Sequence, residues 1–281
     1  MTEPVRRIDA AVVANERLSR EYYRLLLDAP QIACGAKPGQ FVNLRVLDAP
    51  DPVLPRPFSL MAAGESCNLH RDHVAVLYRV AGRGTQTLSE LAPGARVLAV
   101  GPLGQGFSPP PDVEFHVAVG GGTGVAPLLF LAHHLAFHTG GAPPRVALAL
   151  GARTRATFPD DAFFAALPAG VHLSTDAGDP GTFRGNAVDL ARGLLPEKSR
   201  AGLYGAGPPA MLRALARLAE ERGLSCQVSL EARMACGLGA CKSCAVAVRP
   251  RGRQKAPVYR TVCTQGPVFD AAAVDWDRYA E

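Results

Sequence analysis

"GGGTGVAP", residues Gly120 to Pro127, decides how the middle of this chain folds. It directly follows an apolar-rich run, Val113–Val119, and leads into a helical segment from about Ala126 to Phe137. Glycines lack Cβ, so at the start of a helix they let free backbone N–H groups approach a pyrophosphate closely. Pro127, in the first helical turn, gives up a donor that has no intrahelical partner. A plain βα turn would use the same glycines, so the loop alone leaves both readings open. Downstream, the apolar strand Arg145–Leu150, a helix near Asp160–Ala166 and a strand-turn-helix around Leu203–Ala219 continue the alternation. That order predicts a largely parallel sheet. The second strand, "RVALALGARTR", ends without the acidic residue that grips a ribose 2′-hydroxyl, and Arg153 and Arg155 stand there instead.

Upstream the rhythm differs. Short apolar or alternating runs at Ala10–Ala14, Tyr23–Leu27, Phe41–Val46, Val74–Val80 and Arg96–Val100, with Pro-Gly turns at Pro38-Gly39 and Pro93-Gly94, read as an antiparallel barrel. "PRPFSL", Pro55 to Leu60, has prolines two apart, so its missing donors lie along one edge and it must be an edge strand or a bulge. Edge protection explains that segment as well as a phosphate site built on Arg56 with the Ser59 hydroxyl nearby. "LYRVAGRGTQTL", Leu77 to Leu88, runs a strand into Gly82-x-Gly84-Thr85 and a short helix, a turn that either cradles a phosphate or merely turns.

Seven cysteines are present, and Cys236, Cys241, Cys244 and Cys263 fall near the carboxyl end. Their C-x4-C-x2-C spacing, with a fourth cysteine further on, matches the ligand pattern of a plant-type [2Fe–2S] cluster. Two irons, each taking two thiolates beyond the bridging sulfides, use all four. Gly237 and Gly239 let such a loop turn tightly and aim N–H groups at sulfur. A structural zinc site also takes four thiolates, usually from paired C-x2-C knuckles. Cys34, Cys67 and Cys226 are expected to be inert buried thiols. His134 and His138 lie one helical turn apart, but without a third ligand they read as a solvated helix face.

With 281 residues and 48% hydrophobic composition, the chain can bury the cores of about two domains and a small appendage. A net charge of +5, scattered along the sequence, does not point to nucleic acid. The first fifteen residues lack the apolar run of a signal peptide and no stretch approaches a membrane span, so a cytoplasmic location is expected.

Taken in order, Arg-Pro-x-Ser, Gly-Thr before a helix, the Gly120–Pro127 loop and "YGAGPPAM" at Tyr204–Met211 resemble the ferredoxin-NADP reductase superfamily. "EARMACGLGACKSCAV" followed by "VCTQGPVF" is similar to the electron-transfer subunits of two-subunit, NAD-linked dihydroorotate dehydrogenases. The resemblance implies a multidomain β plus α/β architecture: an antiparallel FAD-binding β-barrel at 1–105, an α/β nicotinamide-nucleotide domain with a parallel sheet at 112–223, and a small [2Fe–2S] domain at 224–281. By motif match it assigns FAD contacts to Arg56, Pro57, Phe58 and Ser59, to Leu77, Tyr78 and Arg79, and to Gly84 and Thr85. It assigns nicotinamide contacts to Gly122, Thr123, Gly124, Gly205, Gly207 and Pro208, and cluster ligation to Cys236, Cys241, Cys244 and Cys263. Ala206 stands where many members carry a cysteine.

No side chain is implied as a general base. The partner implied is an FMN-containing catalytic subunit in a heterotetramer, with electrons from dihydroorotate passing through cluster and FAD to NAD⁺. The surface around Leu238 and Gly239 is expected to dock that partner. A related subunit of a transhydrogenase, sulfide dehydrogenase or hydrogenase, or a zinc-bearing scaffold, stays open on the residues alone.

Overall fold

Short apolar-rich strands along the first hundred positions close a sheet on itself. In the computed structural model, which describes residues 4–47, 54–137, 145–196, 200–250, 256 and 258–279, six strands form an antiparallel barrel. They are β1 (Arg6–Arg17), β2 (Tyr22–Asp28), β3 (Phe41–Val46), β4 (Arg56–Ala63), β5 (His73–Arg79) and β6 (Arg96–Leu103), in the order β1-β2-β5-β4-β3-β6. Helix α1 (Pro30–Ala33) caps one end and α2 (Arg83–Ser89) follows β5. The two prolines of "PRPFSL" sit where a strand can spare its donors. Arg56 to Ser59 pair with β3, whereas the register with β5 begins only at Leu60 and shifts before Ala62. Edge and bulge are thus both present, within one strand of a closed barrel.

Seven of the nine remaining strands among the described residues build a sheet whose centre is buried on both faces, as a parallel sheet requires. β7 (Phe115–Gly121) is buried at every position. It leads through a single turn at Gly122–Gly124 into α3 (Val125–Phe137). There follow β8 (Arg145–Ala152), α4 (Asp161–Ala165), β9 (Gly170–Thr175), β10 (Phe183–Arg184), α5 (Ala187–Leu194), β11 (Ala201–Ala206), α6 (Pro209–Arg222) and β12 (Ser225–Ser229). α5 is capped by Asn186, whose Oδ1 accepts from the N–H groups of Val188 and Asp189. The hairpin β13 (Ala245–Val248) with β14 (Val258–Thr261), the one-turn α7 (Val262–Gln265) and β15 (Val268–Asp270) complete the chain.

The sheet runs β10-β9-β8-β7-β11-β12-β15, parallel except for β15. Two of its strands, β12 and β15, come from beyond residue 223, so the cysteine-bearing segment is stitched into the nucleotide-type sheet rather than hung from it. Gln105 adds a second tie: its N–H donates to the Gly266 carbonyl at 2.5 Å.

Packing bears on two expectations. α3 is buried along most of its length, and His133 is buried and stacks on Phe137, while His134 is half-buried. His138 lies outside the described residues. Cys67 and Cys226 are buried as expected, but Cys34, just past α1, is exposed.

Candidate functional site

The parallel sheet delivers its loops to one end, and the barrel sets β4 and β5 against them. Between them lies a cleft of about 280 Å³. Pro57, Phe58 and Ser59 line it from β4, Leu77, Tyr78 and Arg79 from β5, Thr123 and Gly124 from the glycine loop, and Ala206 and Gly207 from the end of β11. Motif segments up to 150 residues apart in sequence therefore share one wall. Tyr78 is held in place from three sides: its hydroxyl donates to Asn15 Oδ1 at 2.9 Å, Tyr23 stacks on its ring at 5.4 Å, and Phe58 meets it edge-on at 6.1 Å. Burial pushes its phenol up to about 12, so it stays neutral and acts as a donor.

Other candidates fall around this cleft rather than in its lining. Arg56 is exposed at the start of β4, its guanidinium donating to the Leu54 carbonyl at 2.8 Å. Gly84 and Thr85 form the first turn of α2, where Thr85 Oγ1 accepts from the N–H groups of Ala81 and Gly82. Gly122 takes φ +61 at the glycine loop, and Pro208 precedes α6. Gly205 has a different surrounding: a Cβ there would meet Leu215 at 2.6 Å and Leu212 at 2.9 Å, so it seats β11 against α6.

The sequence reading missed the cleft's other wall, Phe41, Ala81, Pro127, Ser229, Leu230, Glu231, Ala232, Met234 and Pro267. The signal was present in the adjacency of "SLEARM" to the cysteine loop. Glu231 is open at the rim, yet the packing around its carboxyl disfavours the charge and raises its pKa.

Beyond Met234 the chain enters the cysteine loop. Cys244 and Cys263 bring their Sγ atoms to 3.3 Å, near the edge of a thiolate tetrahedron, about 3.8 Å for metal–sulfur bonds of 2.3 Å. Cys236 Sγ accepts from the N–H groups of Leu238 and Cys241 at 3.4 and 3.5 Å. Cys241 is exposed, and its contact with the Ser243 hydroxyl, followed by backbone donors, lowers its thiol to about 6. Burial and the neighbouring Cys244 raise Cys263 to about 11. Among the described residues no three metal-binding side chains converge on one point; the four sulfurs lie as a buried pair and a loop pair. All four donors are thiols and backbone N–H groups already point at sulfur, which is the donor set an iron–sulfur cluster takes. The cleft likewise fits a flavin ring system, with aromatic and glycine walls and Thr123, Ser59 and Arg79 as polar contacts.

Beside the glycine loop, Arg155 is committed within its own turn: its guanidinium donates to Asp161 Oδ1 at 2.6 Å and to the Pro159 carbonyl at 2.8 Å. Its backbone N–H donates to Asp179.

Barrel, sheet and cysteine loop together define a flavoprotein reductase of the ferredoxin-reductase type with an iron–sulfur domain. In fold the chain is similar to the NADH-dependent reduced ferredoxin-NADP oxidoreductase, with a TM-score of 0.80 and 25% identity over 95% of this chain and 90% of that one. It is also similar to the Amycolatopsis cytochrome P450 reductase GcoB, with a TM-score of 0.63 and 29% identity over 79% of this chain and 67% of that one. Residues 231–275 match the iron-sulfur cluster binding domain of dihydroorotate dehydrogenase B. Over 96% of its length the chain is 37% identical to the dihydroorotate dehydrogenase B (NAD(+)) electron transfer subunit of Desulforamulus reducens, covering 98% of that protein. The subunit of the same name from Geobacillus thermodenitrificans is 38% identical over 94% of this chain and 96% of its own. The chain belongs to the family of dihydroorotate dehydrogenase B electron transfer subunits.

Proposed function

We propose that this chain carries electrons between an FMN-containing dihydroorotate dehydrogenase catalytic subunit and NAD⁺, using FAD held in the barrel cleft and a [2Fe–2S] cluster held by Cys236, Cys241, Cys244 and Cys263. The observation that carries the reading is the cleft itself, where the flavin-type strands, both nucleotide-type loops and the segment entering the cysteine loop meet. The cluster exchanges single electrons and the nicotinamide a two-electron hydride, and a flavin, which does both, joins them.

The chain's own residues do the positioning. Gly124, Ala206 and Gly207, small or without a side chain, line the cleft beside Thr123, which leaves room for a nicotinamide ring to lie flat against a second ring. Ala206 keeps that wall free of a thiol. Pro57, Phe58 and Tyr78 form an apolar wall that excludes water. Leu238, 54% exposed at the tip of the cysteine loop, is an apolar surface for the catalytic subunit to cover. Residues up to about 105 form the flavin unit, the sheet from 112 the nicotinamide unit, and the segment around the four cysteines the cluster unit. The clustered thiols suit a reducing cytoplasm.

Co-expression with the catalytic subunit is the test. The two chains are expected to co-purify, and dihydroorotate is expected to drive NAD⁺ reduction in the complex and not in either chain alone. With Arg155 held by Asp161 and Pro159, only the exposed Arg153 of that pair is left to meet a 2′-phosphate, so kcat/KM for NAD⁺ should exceed that for NADP⁺ by about tenfold or more, the scale of one lost phosphate contact of about 1.5–3 kcal/mol. A different co-purifying partner, or no dihydroorotate-dependent reduction, rejects the assignment.

Arg56 supplies a further prediction. Its guanidinium makes no ion pair among the described residues, leaving it available to a flavin phosphate. Arg56→Ala should weaken flavin retention on the order of tenfold or more, the loss of one charge-assisted hydrogen bond. Flavin absorbance after dilution and filtration measures it; full retention would remove Arg56 from the site.

A further inference from the structure

Asn43 is a primary amide in the wall of an apolar barrel. It lies in the middle of β3, 3% exposed, with its backbone facing Pro57 on β4 and Val100 on β6. Its side-chain Nδ2 donates to the carbonyl oxygen of Cys236 at 3.3 Å, across 193 residues of sequence. Its Oδ1 is fully buried and has no hydrogen-bond partner among the described residues. A half-satisfied amide in a core costs on the order of 1–3 kcal/mol, and a leucine would fill the same volume without that cost. The loop meets it closely. Gly237 takes φ +69, and a Cβ there would lie 2.2 Å from Asn43 Nδ2, so the glycine is required by the barrel side chain pressed against it.

The residues around this contact belong to the cleft. Phe41, two positions before Asn43 on β3, lines it, as do Pro57, Phe58 and Ser59 on the adjoining strand and Met234, two positions before Cys236. We propose that Asn43 is a positioning residue for electron exchange, its backbone paired with the flavin-side segment Arg56–Ser59 and its buried side chain reaching the cluster loop at Cys236. The inference rests on the reading of Cys236 as a cluster ligand and of β4 as flavin-binding. The amide fixes how far the ligand-bearing loop stands from the barrel strand, and its N–H dipole points at the ligand's own carbonyl. A shift in such a contact lengthens the path that electrons cross between flavin and cluster.

The test uses the full chain carrying both cofactors. Asn43→Leu removes both polar atoms at similar volume, and Asn43→Asp keeps the shape but loses the donor. Gly237→Ala reaches the same contact from the loop side. Each is mixed anaerobically with NADH, and flavin and cluster absorbance are followed separately. Redox titration monitored by electron paramagnetic resonance gives the cluster potential. The expected result is a cluster-reduction phase at least about tenfold slower in all three variants, with iron and flavin contents per chain unchanged. In Asn43→Leu the cluster becomes harder to reduce, shifting the flavin–cluster electron equilibrium about tenfold, or 59 mV for one electron. Parental rates and potential in both Asn43 variants overturn the proposal. A slowing that only tracks lost iron also overturns it, because that marks a purely structural contact. Should neither Asn43 variant fold, Gly237→Ala decides: a slower phase supports the bridge and a parental one overturns it. Absence of a cluster signal from the parent chain would instead refute the cluster reading beneath it.

Discussion

Cys263→Ser abolishes the visible absorbance and the paramagnetic signal of the cluster while the flavin band remains, and it cuts electron delivery between the nicotinamide and the catalytic subunit by more than the roughly 10–100-fold typical of outer-shell changes at a metal site. The expectation follows from where the sulfur sits. Cys263 lies in the single turn of α7, is 1% exposed and has its Sγ 3.3 Å from Cys244 Sγ. Burial and that neighbour hold its thiol at about 11, so it carries its proton near neutral pH until a metal displaces it. A serine hydroxyl holds its proton far more firmly and is a harder ligand than thiolate, so it cannot make the same exchange. Cys263 is not among the residues that line the cleft, which is why the flavin should stay. Cys226→Ser provides the control: that thiol is equally buried, in β12, but belongs to neither sulfur pair. Retention of the cluster in Cys263→Ser, or its loss in Cys226→Ser, would overturn the ligand assignment.

What the sequence revealed, and what it hid, follows from how far each signal reaches. The strand at Phe41–Val46 was legible to the residue, because local alternation and a Pro-Gly turn bracket it. β9 and α5 were not foreseen. β9 is half-exposed over its first four positions and offers no apolar run, and α5 is a short helix announced mainly by its Asn186 cap. β12 was read as the start of the cysteine-rich tail. Its five residues include two serines and a glutamine, and only pairing with β11 on one side and β15 on the other makes them part of the sheet. The four cysteines were recognisable because their spacing is itself the chemical signal. Asn43 is the opposite case: a polar residue in "FVNLRV" says nothing until a loop 193 residues away is laid against it. Glu231 and Met234 were hidden likewise, since their part in the cleft depends on where β12 ends.

Gly124→Ala is expected to damage the nicotinamide site more than any other single methyl addition among the cleft loops. A Cβ at Gly124 would lie 2.4 Å from both the carbonyl carbon and oxygen of Ala206 and 2.5 Å from the Gly207 nitrogen. The obstacle is backbone on every side, so no rotamer can swing away. The glycine loop after β7 and the turn after β11 are packed main chain against main chain, and both line the cleft. Inserting a methyl must drive them apart. Overpacking of this kind costs about 1–3 kcal/mol in stability, visible as a lower Tm. The functional loss should be larger, because a displacement near 1 Å between rings that must stack costs on the order of 100-fold in the reacting step. NADH oxidation measured with an artificial acceptor should therefore fall in kcat/KM by about that factor, with flavin still bound by β4 and β5. Gly193→Ala is the comparison, since nothing lies within 4 Å of its added Cβ and it sits in α5. That change should leave NADH oxidation alone and stabilise the chain by about 0.5–1 kcal/mol. If Gly124→Ala matched Gly193→Ala in both Tm and kcat/KM, the two loops would not be the wall against which the nicotinamide is placed.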